Sequence, residues 1–264
     1  MPEHASFWTY LVAMFPALGE NMKNLGQTAF HKPVTAHSAE PMVAAVVVVA
    51  LIFLFAFAVR SKITDYDKSV IPDDKLSLRT LAEVIVGYFY NMMIEMMGPK
   101  RAKRYFPLIG TCGCFILFSN VLGLIPGLNP PTSSLNVTAG CAVIVFLAFN
   151  YYGIKENGLG YFKHLAGPVW WMAPLIFPLE LLSLVIRPIT LSMRLMLNMA
   201  VDHVLLGIAV AAFPLVVPIP IMVLGTLIAF VQVLVFCLLS SIYITLATEH
   251  EHEEGHGAEA KAHA

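Results

Sequence analysis

The chain has 264 residues, of which 58% are hydrophobic and only 12% are charged, whereas about one quarter of a soluble domain is charged. This composition is typical of an integral membrane protein, and the net charge of −1 gives no indication of nucleic-acid binding. The four cysteines lie in apolar runs with no histidine or carboxylate at metal-ligand spacing. We therefore predict no metal site and no disulfide framework.

In chain order, the polar segment 1–40 lacks a basic stretch leading into an apolar core, so we predict no signal peptide. The first apolar run, 42–59, is about long enough to cross roughly 30 Å of hydrocarbon. Over 75–98, apolar residues recur at helical spacing between charges, which predicts an amphipathic helix at the membrane surface. Two further spans are predicted over 106–128 and 135–154.

The chain is almost continuously apolar from 174 to 247, which is too long for two helices of about 20 residues each. Because the only strong helix breakers are three prolines within 213–220, we predict two long, tilted helices over 172–212 and 220–248. The Glu- and His-rich tail, 249–264, is predicted to be disordered rather than metal-binding. The expected fold is an all-α membrane protein with five crossings and one interfacial helix.

The positions of lysine and arginine predict the orientation of the chain. The loop after the first span holds nine of them and the loop after the third span holds two, whereas the loops after the second and fourth spans hold none. Because cytoplasmic loops are enriched in these residues, we expect an N-terminus outside and a C-terminus in the cytoplasm.

The fourth crossing carries charges that an apolar helix does not normally hold, since each costs at least about 2.5–3.5 kcal/mol at mid-bilayer. At about 100° per residue, six polar side chains of this crossing fall within roughly 100° of one another. His203 lies away from them, nearly opposite Arg194. The stripe must therefore face water, another helix or a partner. Its members are Glu180, Ser183, Arg187, Arg194, Asn198 and Asp202.

Arg194 is the charge that is hardest to explain as structural. Arg187 could instead extend its side chain to the interface, and both interpretations of it stay open. Arg194 lies roughly 30 Å along the helix from Trp171, too deep for that. A permanently protonated arginine repels protons and favours the ionised form of a nearby carboxylate. With Glu180 about 21 Å to one side and Asp202 about 12 Å to the other, the spacing suggests two half-paths separated by a fixed positive barrier.

Gln232 is the one strongly polar residue at depth on the fifth crossing. A buried amide in lipid needs a hydrogen-bond partner. We expect that partner to be Arg194.

The segment 188–199, Pro-Ile-Thr-Leu-Ser-Met-Arg-Leu-Met-Leu-Asn-Met, resembles the fifth-helix signature of subunit a of rotary F-type ATP synthases, Pro-Leu-Ser-Leu-x-x-Arg-Leu-Phe-Gly-Asn. The stretches 118–126, 131–138 and 178–183 also resemble that family. The stretch 213–220, followed by Gln232 and Tyr243, is most similar to plastid and cyanobacterial members. In all, the resemblance covers roughly residues 75–248.

This resemblance implies a proton-conducting stator subunit of the bacterial inner membrane, without a cofactor or a nucleotide site of its own. Its partners would be the c-subunit ring, b-type peripheral-stalk subunits, the rest of the ATP synthase and the lipid bilayer. Arg194 would face the ring carboxylate, with Gln232 beside it. Residues matching the periplasmic half-channel would be Asn198, Asp202 and His203, with Asn120 and Asn136 as weaker candidates. Residues near the cytoplasmic half-channel would be Glu180, Ser183 and Arg187.

Two positions depart from the family pattern. Met196 and Leu197 replace the usual Phe-Gly, and Gly225 stands where many members have His or Glu. His203 then lacks its usual ionisable partner, and Asp202 is the candidate replacement.

The rival function is a self-contained secondary transporter, although the sequence shows no internal repeat and five crossings are few for that class. A purely structural membrane anchor would leave Arg194 unexplained. The sequence contains no phosphate-binding GxxxxGK[ST] loop, which agrees with a subunit that does not bind nucleotide.

Overall fold

The structure is a computed structural model that describes residues 7–8, 14, 40–62, 77–125, 127–157, 173–212 and 216–248. Regular structure in these ranges is entirely helical, and five helices are long and apolar enough to cross a membrane. This confirms the all-α membrane fold. The tail 249–264 and nearly all of segment 1–40 lie outside the described residues. The helices are α1 Glu40–Lys62, α2 Leu78–Gly123, α3 Leu135–Asn157, α4 Ala173–Ala212 and α5 Pro218–Thr248, and a 3-10 turn spans Pro131–Ser133.

Helix α1 is apolar on nearly every face, and it exposes large side chains such as Phe53 and Phe57. A helix that is hydrophobic all round is stable with one side against protein and the other against lipid. Its protein side meets α2, where the rings of Phe55 and Phe118 stand 5.4 Å apart in an edge-on arrangement.

Helix α2 consists of two segments joined at a single non-helical residue. The helix begins after Ser77, whose hydroxyl accepts a hydrogen bond from the Thr80 N–H at 3.3 Å. Gly98 has φ of 77°, a conformation that glycine adopts without a Cβ clash. Pro99 follows as the first residue of the second segment, where its missing N–H costs no hydrogen bond. The basic run 100–104 is therefore helical, in place of the expected loop before residue 106.

The core lies where α2 and α5 pack against each other, with α3 and α4 alongside. At Gly113 the two helices lie so close that a Cβ atom would be only 2.7 Å from the Cys237 Sγ. Only a glycine lets the two helices come this near. From α3 and α4, Phe149 and Leu195 complete the buried cluster.

The segment between α2 and α3, residues 127–134, is called the α2–α3 turn below. Gly127 has φ of +92°, and Pro131 and Thr132 are buried. Its 3-10 turn contacts α1, α2, α3 and α4, so it sits among the helix ends rather than on the surface. From the N-terminal segment, Phe7 and Trp8 bond to carbonyls of the same turn.

Candidate functional site

Arg194 lies near the middle of α4 but points out of the chain. It is 21 residues from Ala173 and 18 from Ala212, about 31 Å and 27 Å along the helix axis. The residue is exposed, as are its apolar neighbours Met193 and Leu197. No carboxylate in the described part of the chain lies within ion-pair distance of its guanidinium. This face of α4 therefore carries one positive charge without a partner among the described residues, surrounded by apolar side chains.

Gln232 pairs with Asn198, one helical turn beyond Arg194, rather than with Arg194 itself. The Asn198 Nδ2 donates to the Gln232 Oε1 at 2.6 Å and ties α4 to α5. Gln232 is buried, and its Nε2 has no hydrogen-bond partner in the structure. A buried amide N–H without an acceptor is costly, so the protein leaves a polar group unsatisfied at this point.

Asp202 and His203 line one cavity between α2, α4 and α5, called the Asp202 cavity below, whose volume is about 30 Å³. That volume has room for about two water molecules. The His203 Nε2 is buried without a hydrogen-bond partner. Gly225 forms part of the opposite wall, and a Cβ there would lie 3.8 Å from the Asp202 Oδ2. The Asp202 carboxylate thus lies next to Gly225, the position at which many family members have His or Glu.

Asn120 belongs to the same cavity and holds its walls together. Its Nδ2 donates to the Ala229 carbonyl of α5 at 3.2 Å, and its Oδ1 accepts from the Thr132 hydroxyl at 3.3 Å. Both Asn120 and Thr132 are fully buried. The other weak candidate, Asn136, is exposed at the start of α3 and does not line the cavity. Thr132 was not among the predicted site residues, since a threonine in a turn gives no signal of its own.

The opposite end of the stripe forms a second polar group. Arg187 lies 4.0 Å from Glu180, between its Nη2 and the carboxylate Oε1. Its guanidinium also stands 5.1 Å from the centroid of the Tyr243 ring on α5, a cation–π geometry. Ser183 is half-buried on the same helix. Both contacts hold the Arg187 guanidinium against the protein.

The site consequently has three parts along α4. The Asp202 cavity is about 12 Å from Arg194 along the axis, and the Glu180–Arg187 pair begins about 10 Å to the other side. Between them lie the exposed arginine and the Asn198–Gln232 pair. Such an arrangement can deliver protons to a group on a neighbouring subunit from two separate sides. Among the described residues, no cluster of His, Cys, Asp or Glu could hold a metal ion.

Comparisons with known proteins show the family to which the chain belongs. Residues 25–245 match the family model described as ATP synthase A chain. The chain is 54% identical over 250 residues to ATP synthase subunit a of Sorangium cellulosum, covering 94% of this chain and 98% of that one. It is 47% identical over 175 residues to ATP synthase subunit a of Geobacter sulfurreducens, covering 66% and 76% of the two chains. It is also 47% identical over 175 residues to ATP synthase subunit a 1 of Syntrophotalea carbinolica, covering 66% of this chain and 74% of that one. The chain therefore belongs to the ATP synthase A chain family.

Proposed function

We propose that this chain conducts protons in the membrane sector of a rotary ATP synthase, with Arg194 facing a carboxylate on a ring of c subunits. The family membership gives the chain its place as the proton-conducting subunit a. The observation that carries the rest is the exposure of Arg194 near the middle of the long apolar helix α4. A charge that faced lipid there would cost at least about 2.5–3.5 kcal/mol, so a partner of opposite charge best accounts for it.

The Asp202 cavity would form the outer half-path. Asp202 and His203 line a water-sized space, and the His203 Nε2 is buried without a hydrogen-bond partner. Groups that exchange protons through water need this combination of space and polar contacts. Protons would pass from the cavity along Asn198 toward the ring carboxylate, since Asn198 lies one turn from Asp202 and one turn from Arg194.

The Glu180–Arg187 pair would mark the inner half-path. The ion pair and the Tyr243 ring fix the guanidinium, which leaves Glu180 as the group that can accept a departing proton. The Ser183 hydroxyl lies on the same polar stripe of α4. Arg194 separates the two half-paths because it stays protonated and so cannot relay a proton between them.

The chain is a multi-pass membrane protein, as its five long apolar helices and its bacterial relatives indicate. We propose in addition that the N-terminus is outside and the C-terminus in the cytoplasm. The uneven distribution of lysine and arginine supports this orientation. Contact of Phe7 and Trp8 with the α2–α3 turn is compatible with it, because both then lie on the outer side. Further partners would be b-type peripheral-stalk subunits.

The test of the proposal is Arg194→Ala in the complete enzyme. Inverted membrane vesicles should lose ATP-driven proton pumping, because nothing then separates the half-paths or stabilises the ionised ring carboxylate. The control variant is Phe57→Ala on α1, which is 74% exposed and remote from the site, and it should pump normally. The amount of c ring that co-purifies with each variant shows whether the complex has assembled. Pumping that survives in an assembled Arg194→Ala complex would disprove the mechanism.

The comparisons give no support to a stand-alone transporter, since each relative described above is named as an ATP synthase subunit a.

A further inference from the structure

Phe7 and Trp8 contact the α2–α3 turn. The Phe7 N–H donates to the Gly127 carbonyl at 3.1 Å, and the Trp8 indole N–H donates to the Asn129 carbonyl at 2.9 Å. Trp8 and Asn129 are 121 positions apart in the chain. The Trp8 ring is only 3% exposed and stands edge-on to Phe7, with the centroids 6.2 Å apart.

The hydrogen bonds within the α2–α3 turn lie at its two ends, where the Leu128 N–H donates to the Ile125 carbonyl and the Ser133 N–H donates to the Pro130 carbonyl. Gly127 has a positive φ, and Pro130 and Pro131 have no N–H groups to donate. Gly127 and Asn129 are exposed, so the two bonds from Phe7 and Trp8 to their carbonyls fix the position of the turn rather than satisfy buried polar groups.

The same turn forms the support for one wall of the Asp202 cavity. Pro130 packs so closely on Gly123 that a Cβ there would lie 2.9 Å from the proline Cγ. Gly123 itself lines the cavity. Two residues further along the turn, Thr132 bonds to Asn120, which also lines it. A shift of the turn would therefore move two wall residues together.

We propose that Trp8 is a positioning residue of the outer half-path, which holds the α2–α3 turn and thereby sets the width of the Asp202 cavity. The inference rests on the proposed function in assigning this cavity to proton entry. Trp8 lies before the residues that the family model matches, 25–245, so the contact is separate from the signature shared by the family. A tryptophan that merely anchored the chain at lipid headgroups would leave its ring outside the protein, whereas this ring is buried.

The experiment measures how fast a water-soluble methanethiosulfonate reagent labels Met222→Cys, a reporter on the cavity wall, in the complete ATP synthase. Sealed vesicles receive the reagent on the face that carries the N-terminus. Trp8→Phe removes the indole hydrogen bond and keeps a smaller aromatic ring, and labelling should become at least about fivefold faster, the factor expected from one hydrogen bond of ordinary strength. Trp8→Ala also removes the packing and should label faster still. A chain without the reporter gives the background from the four native cysteines.

Two controls separate positioning from general loosening. Met14→Ala changes an 80% exposed side chain of the same segment and should label at the parental rate. A second reporter, Val145→Cys, is buried in α3 away from the cavity and should stay unlabelled in every background. Equal rates in the parent and in both Trp8 variants would overturn the proposal, and so would a parallel rise at both reporters.

Should the Trp8 variants fail to assemble, hydrogen exchange in the unmodified complex decides the question. The Phe7 amide should be protected, and exchange at the rate of an unstructured chain would overturn the proposal. The outcome is independent of the test on Arg194. If protons took another route, pumping would survive Arg194→Ala while the labelling rates would still report whether Trp8 holds the wall.

Discussion

The Asp202 carboxylate lies where it can compensate for the ionisable side chain that Gly225 lacks. Gly225 stands where many members of the subunit a family have His or Glu. In the structure the Asp202 carboxylate lies within 4 Å of the place where a Cβ at 225 would stand. The glycine leaves space, and the adjacent cavity has room for about two water molecules.

This arrangement predicts that position 225 tolerates one added methyl group but not a full side chain. Gly225→Ala should conduct nearly normally, since its Cβ meets Asp202 only at ordinary contact distance, 3.8 Å. Gly225→Leu should fill the cavity and displace the water there. Proton flux should then fall by about tenfold or more, because protons cannot cross the gap that the missing water leaves. Passive flux through vesicles stripped of the catalytic head measures both. Equal flux in the two variants would show that the cavity water is not on the path.

At this scale the sequence could predict the importance of Arg194 but not its surroundings. The cost of a mid-membrane charge follows from its position alone. The partner of Gln232 depends instead on how α5 is rotated and shifted against α4, and no pattern within either helix records that. The structure gives Asn198 as the partner and leaves Arg194 facing outward. For the same reason Asp202 and His203 share one cavity although helical spacing put His203 off the stripe.

Among the helices, the contact between α2 and α5 sets the position of both walls of the site. Gly113 allows the approach, and Asn120 bonds across it to the Ala229 carbonyl two turns further along. Small residues at a helix interface let backbones come close, which in a membrane is a main source of packing energy. Helix α5 consequently carries Gln232 at a depth that α2 determines.

We expect Gly113→Ala to push these helices apart. Its Cβ would lie 2.7 Å from the Cys237 Sγ, and overpacking of this kind costs about 1–3 kcal/mol. Adding Cys237→Ala removes the sulfur and should restore most of the loss. The measurement is the temperature at which the chain dissociates from the detergent-solubilised complex, for both single variants and the double variant. A double variant no better than Gly113→Ala alone would contradict the proposed clash.

Helix α2 has one feature that its sequence does not predict, the length of the break between its two segments. Its amphipathic half and its apolar half were both visible as patterns, because helical spacing of apolar residues can be read directly. Gly98 and Pro99 signal a break equally well. What they do not signal is its length, and the structure needs only one non-helical residue where the sequence suggested a loop of several.

In the whole molecule, α4 and α5 each have one side that is buried against the protein and another that is apolar and exposed. Leu195 and Met199 of α4 are buried, whereas Leu197 and Val201 are exposed on the side that also exposes Arg194. Exposed apolar surface of this extent in a membrane chain faces lipid or another subunit. The arginine within it favours the second, so we expect the ring of c subunits to cover this face.

Cysteine cross-linking would test that surface directly. Leu197→Cys is 47% exposed and one turn from Arg194, so mild oxidation should join it to a cysteine placed beside the ring carboxylate. Leu195→Cys is the matched control, since it lies two positions away and is fully buried. Cross-linked products separated on a denaturing gel should appear for position 197 and be absent for position 195. Products from both positions, or from neither, would contradict the proposed orientation of α4.

The outward-facing guanidinium has a consequence for how the cell must build the enzyme. A chain inserted into the bilayer before its partner arrives would expose Arg194 to hydrocarbon at a cost of at least about 2.5–3.5 kcal/mol. Copies without a partner would then be destabilised, because local membrane defects would have to hydrate the arginine. Such copies would be more readily degraded by proteases. The cellular level of this protein should therefore follow the supply of ring subunits, and the same side chain that separates the two half-paths would act as a marker of incomplete assembly.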